Sequence, residues 1–287
     1  MPLSDAWIDF LAGWCSGAAG VIACQPVDTV LTRLQAGQRL VTAAATTTTL
    51  VSSTGMTSLW RGSSAMIGAV PLQNSLLMGG YGLGKRWSTA QDNQEEDKLT
   101  AVFVGGCVGG LLQSFIMSPV ELLKVHQQVH TERSALAVSK TVFQQIVQQK
   151  IVWRGLGATI LRDGIPHGAW FVAYEVSKHK LEETFPNQKE EEVTTTTNWS
   201  IPLTSGACAA TVAWGIGYPF DLIKTRIQAS NNHEGILKTT QTLIQEANGD
   251  VLQGLYRGFG LKLVRSVPAS MIGFTTYEIV KEYIEGL

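Results

Sequence analysis

The stretches "PVDTVL" (residues 26–31), "PVELLK" (119–124) and "PFDLIK" (219–224) spell one pattern three times. Each has Pro, one residue, an acid, two residues and a sixth position. That position is Lys124 and Lys224 in the second and third copies, and Leu31 in the first. A second landmark follows each copy: "WRG" at 60–62, "WRG" at 153–155 and "YRG" at 256–258. From Pro to the landmark Gly the distance is 36, 36 and 39 residues, and the Pro recurs after 93 and then 100. One Pro before an acid is common at helix starts. Two linked landmarks, three times over at a near-fixed period, define a tripled unit of about 95 residues. The units run over 1–92, 93–192 and 193–287.

Each unit reads as two long helices. The first carries the Pro-acid motif near its C-terminal end, over 4–35, 98–128 and 198–228. The second follows the landmark, over 63–87, 156–181 and 259–284. Segments of about 20 residues are long enough to cross a bilayer. Small residues four apart, Gly13 with Gly17, Gly105 with Gly109 and Gly206 with Ala210, let helices approach closely in lipid. A short amphipathic stretch separates the two helices of a unit, at 138–147 and 236–246. Its counterpart in the first unit, "VTAAATTTTLVSST" (41–54), gives only a weak helix signal.

The bulk numbers fit a membrane chain. Charged residues make up 16 % of the 287, and 29 are Gly, against about 25 % charged in average proteins. The net charge of −1 gives no electrostatic footprint for nucleic acid. A mean hydropathy of +0.10 is low for clean spans. The spans explain it, because they carry Asp28, Gln73, Asn74, Gln113, Glu121, Arg162, Asp163, Asp221 and Arg265. Polar groups at membrane depth are tolerated where they face a bundle interior or a wet cavity. A soluble helical repeat would share the periodicity, but charge asymmetry favours the membrane. The stretches inside the units sum to +3 (33–61), +4 (124–154) and +1 (224–257). The linkers between units sum to −1 (85–98) and −3 (175–193). Six spans put both termini on the linker side, with the basic loops on the side that counts as inside.

Other chemistries find little support. Cys15, Cys24, Cys107 and Cys208 lie far apart, with no CxxC, so neither a disulfide framework nor a zinc site is implied. "HQQVH" (126–130) has the spacing of a zinc pair, but Gln127 stands where the general-base Glu would be. No phosphate-cradling glycine motif and no nucleophile elbow occur, so no cofactor, no metal and no enzymatic reaction are expected. "NQEED" (93–97) and "KEEEVTTTTN" (189–198) read as solvated linkers. The N-terminus "MPLSDAWIDF" lacks a basic region, so a cleaved signal or transit peptide is not expected.

Three Pro-x-acid-x-x-Lys motifs, each followed by aromatic-basic-Gly, resemble the mitochondrial carrier family over essentially the whole chain. Further residues agree. Gln35, Gln128 and Gln228 lie nine positions after each Pro, where the family carries a glutamine brace. Tyr174-Glu175-x-x-Lys178 and Tyr277-Glu278-x-x-Lys281 match its cytoplasmic-side gate, while the first unit has "YGLGK" with Gly82 in place of the acid. The resemblance implies an all-α membrane protein, six transmembrane helices in three pseudo-symmetric repeats, in the mitochondrial inner membrane. It implies alternating access, usually exchange, a monomer, and both termini toward the intermembrane space. Bound cardiolipin would sit near Gly62, Gly155 and Gly258, where helix starts offer free N–H groups to phosphate.

The resemblance also makes the acids Asp28, Glu121 and Asp221, with Lys124 and Lys224, a matrix-side gate of ion pairs. Leu31 leaves that ring one cation short, and the expectation is an unpaired acid and a weaker gate, unless Arg33 or a water stands in. Seven residues past each landmark Gly come Ala69, Arg162 and Arg265. Two helical turns rise about 10 Å, near the bilayer midplane, where transporters bind. Arg162 and Asp163 differ by about 100° on the helix, so both are expected to reach a cavity without cancelling each other. An Arg fork suits a carboxylate and an Asp suits an ammonium, so the pair suits a small zwitterion. Trp170 offers a π face to a quaternary ammonium. "LRDGIPHGAWFVAYE" and "VRSVPASMIGFTTYE" resemble the branch of carnitine/acylcarnitine and ornithine carriers. "YGLGKR" (81–86) is similar to the carnitine type and "QNSLLM" (73–78) to the ornithine type. Gln73 stands where the latter has an acid. The alternative is a carrier-like scaffold or proton leak without exchange, with Leu31, Ala69 and Gly82 as its signs.

Overall fold

A computed structural model describes residues 5–37, 42–89, 97–129, 144, 152–185, 200–230 and 235–285. Among them are nine α-helices and no strand. Six are long: α1 (Asp5–Ala36), α3 (Ser63–Thr89), α4 (Asp97–Val129), α5 (Leu156–Thr184), α6 (Ser200–Ala229) and α9 (Phe259–Glu285). They are the six expected spans, with ends that match or differ by up to three residues. Two shorter helices follow the first helix of repeats one and three: α2 (Ala43–Thr54) and α7 (Ile236–Glu246). A single turn and a half, α8 (Val251–Leu255), precedes the last landmark. The stretch 138–147 and the two linkers lie outside the described residues, apart from Gln144 and Asp97.

The weak signal at 41–54 turns out to be a true helix, and the threonine run is compatible with it. Thr42 caps it, accepting from the Ala45 N–H at 3.3 Å. The hydroxyls of Thr46, Thr47, Thr48 and Thr49 each donate to the carbonyl four residues back. Every polar side group in the run is thus satisfied within the helix. Leu50 anchors it on Val30 and Leu34 of α1. Leu243 of α7 sits likewise against Leu222, Ile223 and Ile227 of α6.

Each long helix contains a proline: Pro26, Pro71, Pro119, Pro166, Pro219 and Pro268. Proline deprives the carbonyl four residues back of its helical donor, and in lipid such a carbonyl needs another. Two of these donors are indoles. Trp60 Nε1 donates to Ile22 O at 2.9 Å, four residues before Pro26. Trp14 Nε1 donates to Ile67 O at 3.0 Å, four residues before Pro71. The aromatic of the first landmark is thereby tied to the proline of the first motif.

The landmark glycines share one conformation. Gly62, Gly155 and Gly258 have φ of +84°, +83° and +84°, a left-handed turn that an L side chain disfavours. Three equal turns at three equal places are the repeat seen in the backbone. The carbonyl before each glycine is held in each case: Gln25 Nε2 reaches Arg61 O at 2.7 Å, Gln228 Nε2 reaches Arg154 O at 3.2 Å, and Tyr218 Oη reaches Arg257 O at 2.5 Å.

Polarity is inverted relative to a soluble domain. Gln25, Gln128, Gln228, Ser114, Ser118 and Ser205 are fully buried. Ile22, Phe115, Met78, Val264 and Ile279 are exposed. Apolar side chains outside and polar ones inside suit a lipid surround. Among the described residues two helices, over Phe10–Ala36 and Lys98–Val129, are long and apolar enough to cross a membrane by composition alone. The others carry the polar residues that sequence analysis placed in them.

Packing divides the chain into two compact units. One comprises Met1–Ser75, Ser114–Thr159 and Tyr218–Leu287; the other comprises Leu76–Gln113 and Ile160–Gly217. In the second unit α3 and α4 cross with glycine against glycine. A Cβ on Gly109 would stand 2.4 Å from Leu77 O, and one on Gly80 2.6 Å from the Gly109 Cα. The Gly105 and Gly109 motif is a close-approach seam, as its spacing suggests. Gly13 and Gly206 have open space where a Cβ would go, whereas a Cβ on Gly17 would stand 2.4 Å from Val70 Cγ1 of α3.

Candidate functional site: an ion-pair ring and an aromatic cavity

The ring lies wholly in the first unit. Asp28 of α1 takes Lys124 Nζ of α4 on Oδ2 at 3.2 Å and Arg265 Nε of α9 on Oδ1 at 2.6 Å. Glu121 of α4 pairs with the buried Lys224 of α6. Asp221 of α6 has Lys262 Nζ of α9 at 3.6 Å and accepts from Gln35 Nε2 of α1 at 3.2 Å. The expected unpaired acid is therefore corrected. Leu31 carries no charge, but α9 brings Lys262 to the acid that lacks a partner. Arg33, the other stand-in considered, donates its Nε to Gln128 O at 2.8 Å.

The three glutamines do different things. Gln35 binds an acid of the ring. Gln128 donates to Thr29 Oγ1 at 3.0 Å, and Gln228 to Ser118 O at 3.4 Å and Arg154 O. Arg265, Gln73 and Asn74 belong to this first unit, and Arg265 already holds a carboxylate there.

In the second unit, Arg162 and Asp163 of α5 face a cavity of about 260 Å3. They do not act independently. Arg162 Nε lies 2.6 Å from Asp163 Oδ1, and an Nη lies 2.8 Å from Oδ2, a closed fork. The expectation that the two reach the cavity without cancelling is thus corrected. The 100° between their Cα directions is bridged by the long Arg side chain folding back on its neighbour. Asp163 is 3 % exposed, and a buried carboxylate without its counter-charge is costly.

Aromatic side chains complete the cavity. Trp170, Phe171 and Trp214 line it, with Met78 and Pro166. Trp170 stacks on Tyr174 with centroids 5.3 Å apart, and Phe171 stacks on Tyr81 at 4.4 Å. His167 also lines it. Its Nδ1 is 2.7 Å from Asp163 O and its Nε2 is 3.1 Å from Gln113 Nε2. A neutral ring donating at Nδ1 and accepting at Nε2 satisfies both contacts. Trp214 and His167 went unnoticed in the sequence. Trp214 stands in α6, a helix read there for its Pro-acid motif, and no spacing rule joins it to Arg162.

Of the two Tyr-Glu-x-x-Lys motifs, Lys178 lies 4.0 Å from Glu182 on its own helix, and Lys281 sits 5.8 Å from the Tyr277 ring centroid. Glu175 follows Tyr174 on α5. The side chain of Glu278 and residue His130 lie outside the described residues.

Long helices that expose apolar side chains and bury ion pairs suit a multi-pass membrane protein. A family model described as "Mitochondrial carrier protein" matches the chain three times, over residues 3–92, 95–185 and 195–286. The chain belongs to the mitochondrial carrier family, whose members are multi-pass transporters of the mitochondrial inner membrane and not enzymes. Among its curated relatives is a mitochondrial arginine transporter of Arabidopsis thaliana, 28 % identical over 94 % of this chain and 89 % of the relative. Another is solute carrier family 25 member 45 of Mus musculus, 29 % identical over 97 % and 98 %. A third is the mitochondrial carnitine carrier of Saccharomyces cerevisiae, 27 % identical over 98 % and 90 %.

Proposed function

We propose that this carrier exchanges a small zwitterion whose cationic end is an alkylated ammonium, as in carnitine and its esters. The observation that carries the reading is the closed Arg162–Asp163 fork against Trp170, Phe171 and Trp214. A purely anionic or cationic ligand would claim one half of the fork and strand the other in a buried place, at a cost of about 3–5 kcal/mol. A zwitterion takes both halves at once: its carboxylate replaces Asp163 on Arg162, and its ammonium replaces Arg162 on Asp163. The walls favour methylated nitrogen. A primary ammonium has three donors to satisfy, and indole, phenyl and thioether faces offer it no strong acceptor. A quaternary ammonium has none to satisfy and gains from the aromatic faces. Relatives that carry arginine, glycine and carnitine, by their names, leave the zwitterion class common to all.

In this reading the ring of Asp28, Glu121, Asp221 and their cations closes the matrix side and opens in each cycle. The motifs at Tyr174, Glu175, Lys178 and at Tyr277, Glu278, Lys281 close the other. Basic loops face the matrix, both termini the intermembrane space, and cardiolipin phosphates meet the helix starts after Gly62, Gly155 and Gly258 in a monomer. Uptake into liposomes preloaded with carnitine, ornithine, a neutral amino acid or nothing tests the substrate. Carnitine exchange at least about 10-fold above ornithine is expected, since one unsatisfied donor alone costs about 1–3 kcal/mol. Preferred ornithine exchange would overturn the methylated-ammonium reading. No exchange with any of them would favour a scaffold or leak.

A further inference from the structure

We propose that Lys262 of α9 is the third cation of the ring, taking the place of the lysine that Leu31 replaces. The proposal rests on reading the ring as a gate. Asp28, Leu31 and Gln35 lie along one face of α1 at spacings of three and four. Gln35 touches Asp221, so a cation at position 31 would reach the same carboxylate. Instead Leu31 is buried, with its Cδ1 2.9 Å from where a Cβ on Gly258 would stand. The charge arrives from the opposite wall. Lys262 and Arg265 are three apart, on one face of α9, and each holds an acid of a different helix: Lys262 that of α6, Arg265 that of α1. Both members of the Lys262–Asp221 pair are nearly buried, with side chains 11 % and 10 % exposed, so neither is a solvated surface group.

The assignment has a mechanical consequence. With Lys at position 31, the bond to Asp221 would join the two Pro-motif helices α1 and α6. With Lys262, it joins α6 to α9, and Arg265 joins α9 to α1. The third link of the ring therefore runs through α9, and opening it requires α9 to release two acids.

Relocating the charge tests this. The full-length proteins Lys262→Met, Lys262→Arg, Leu31→Lys/Lys262→Met and wild type would be melted without substrate, following intrinsic tryptophan fluorescence. Exchange in liposomes would be measured in parallel. Lys262→Met is expected to melt about 5 °C or more below wild type, as loss of one partner of a buried pair predicts, and to exchange about 10-fold more slowly, because the cycle needs the matrix side to close as well as to open. Lys262→Arg should keep both properties, and Leu31→Lys/Lys262→Met should recover at least half of each loss. If Lys262→Met does not fold, a double variant that folds still supports the proposal, and one that does not overturns it. A Lys262→Met that melts like wild type overturns it as well. Recovery of melting with exchange the same in every variant would overturn the gate role while leaving the ion pair in place. None of the melting outcomes depends on which substrate is carried.

Discussion

Arg162 and Asp163 are chain neighbours that hold each other's charge, and a substitution in one is felt through the other. Arg162→Ala leaves a carboxylate that is 3 % exposed without its fork. Removing one partner of a buried pair costs about 3–5 kcal/mol, whereas removing both is often mild. Arg162→Ala should therefore melt several degrees below Arg162→Ala/Asp163→Ala, at about 2–4 °C per kcal/mol for a chain of this order of size. Both should lose exchange. A double variant that melts no higher than the single one would show that the fork is not the state in solution. Trp60 gives a second case at this scale. Trp60→Phe keeps the ring but removes the donor on Ile22 O, the carbonyl that Pro26 leaves without its own. In lipid no water replaces the lost donor, so Tm should fall, whereas Met56→Ala, at an exposed neighbour, should leave it unchanged.

The helices themselves were legible in the sequence because they repeat: the period, the landmarks and the small-residue spacing bound six spans to within a few residues. What each small-residue motif does was not legible. Gly105 with Gly109 and Gly206 with Ala210 have one spacing, yet only the first lies against a backbone. Spacing records which face of a helix is smooth, and packing decides whether another helix uses it. Gly109→Ala would push a Cβ to 2.4 Å from Leu77 O and force α3 from α4, with an overpacking cost of about 1–3 kcal/mol. Gly206→Ala meets nothing and should be neutral, or stabilising by up to about 1 kcal/mol from helix propensity. Thermal unfolding of the two variants, expected to shift in opposite directions or with only the first destabilised, checks this. Side chains outside the repeated pattern were equally hidden. Lys262 belongs to no motif, and its partner Asp221 is 41 positions away in sequence; only the fold brings them to 3.6 Å. The fork of Arg162 on Asp163 escaped for the opposite reason. Neighbours are read as diverging on a helix, and the reach of an arginine was left out.

For the whole molecule, the neutral pairing of Arg162 with Asp163 bears on the energetics of transport. In the Arg162–Asp163 fork one cation meets one anion, and an incoming zwitterion exchanges with both and adds no net charge. A translocation step that moves no net charge does no work against the membrane potential, whereas one elementary charge carried across 100 mV is worth about 2.3 kcal/mol. As the proposed gate, the ring would open and close once in each direction of an exchange cycle, so its charges would return to where they began. Zwitterion-for-zwitterion exchange should therefore be electroneutral. With liposomes loaded with unlabelled carnitine, a potassium diffusion potential of about 100 mV of either sign should leave the final distribution of labelled carnitine unchanged. A cation entering in exchange for a zwitterion would be accumulated by a factor approaching about 50 at that potential. A carnitine distribution that followed the potential would mean that a net charge crosses with the substrate, and the balanced exchange at the Arg162–Asp163 fork would have to be given up.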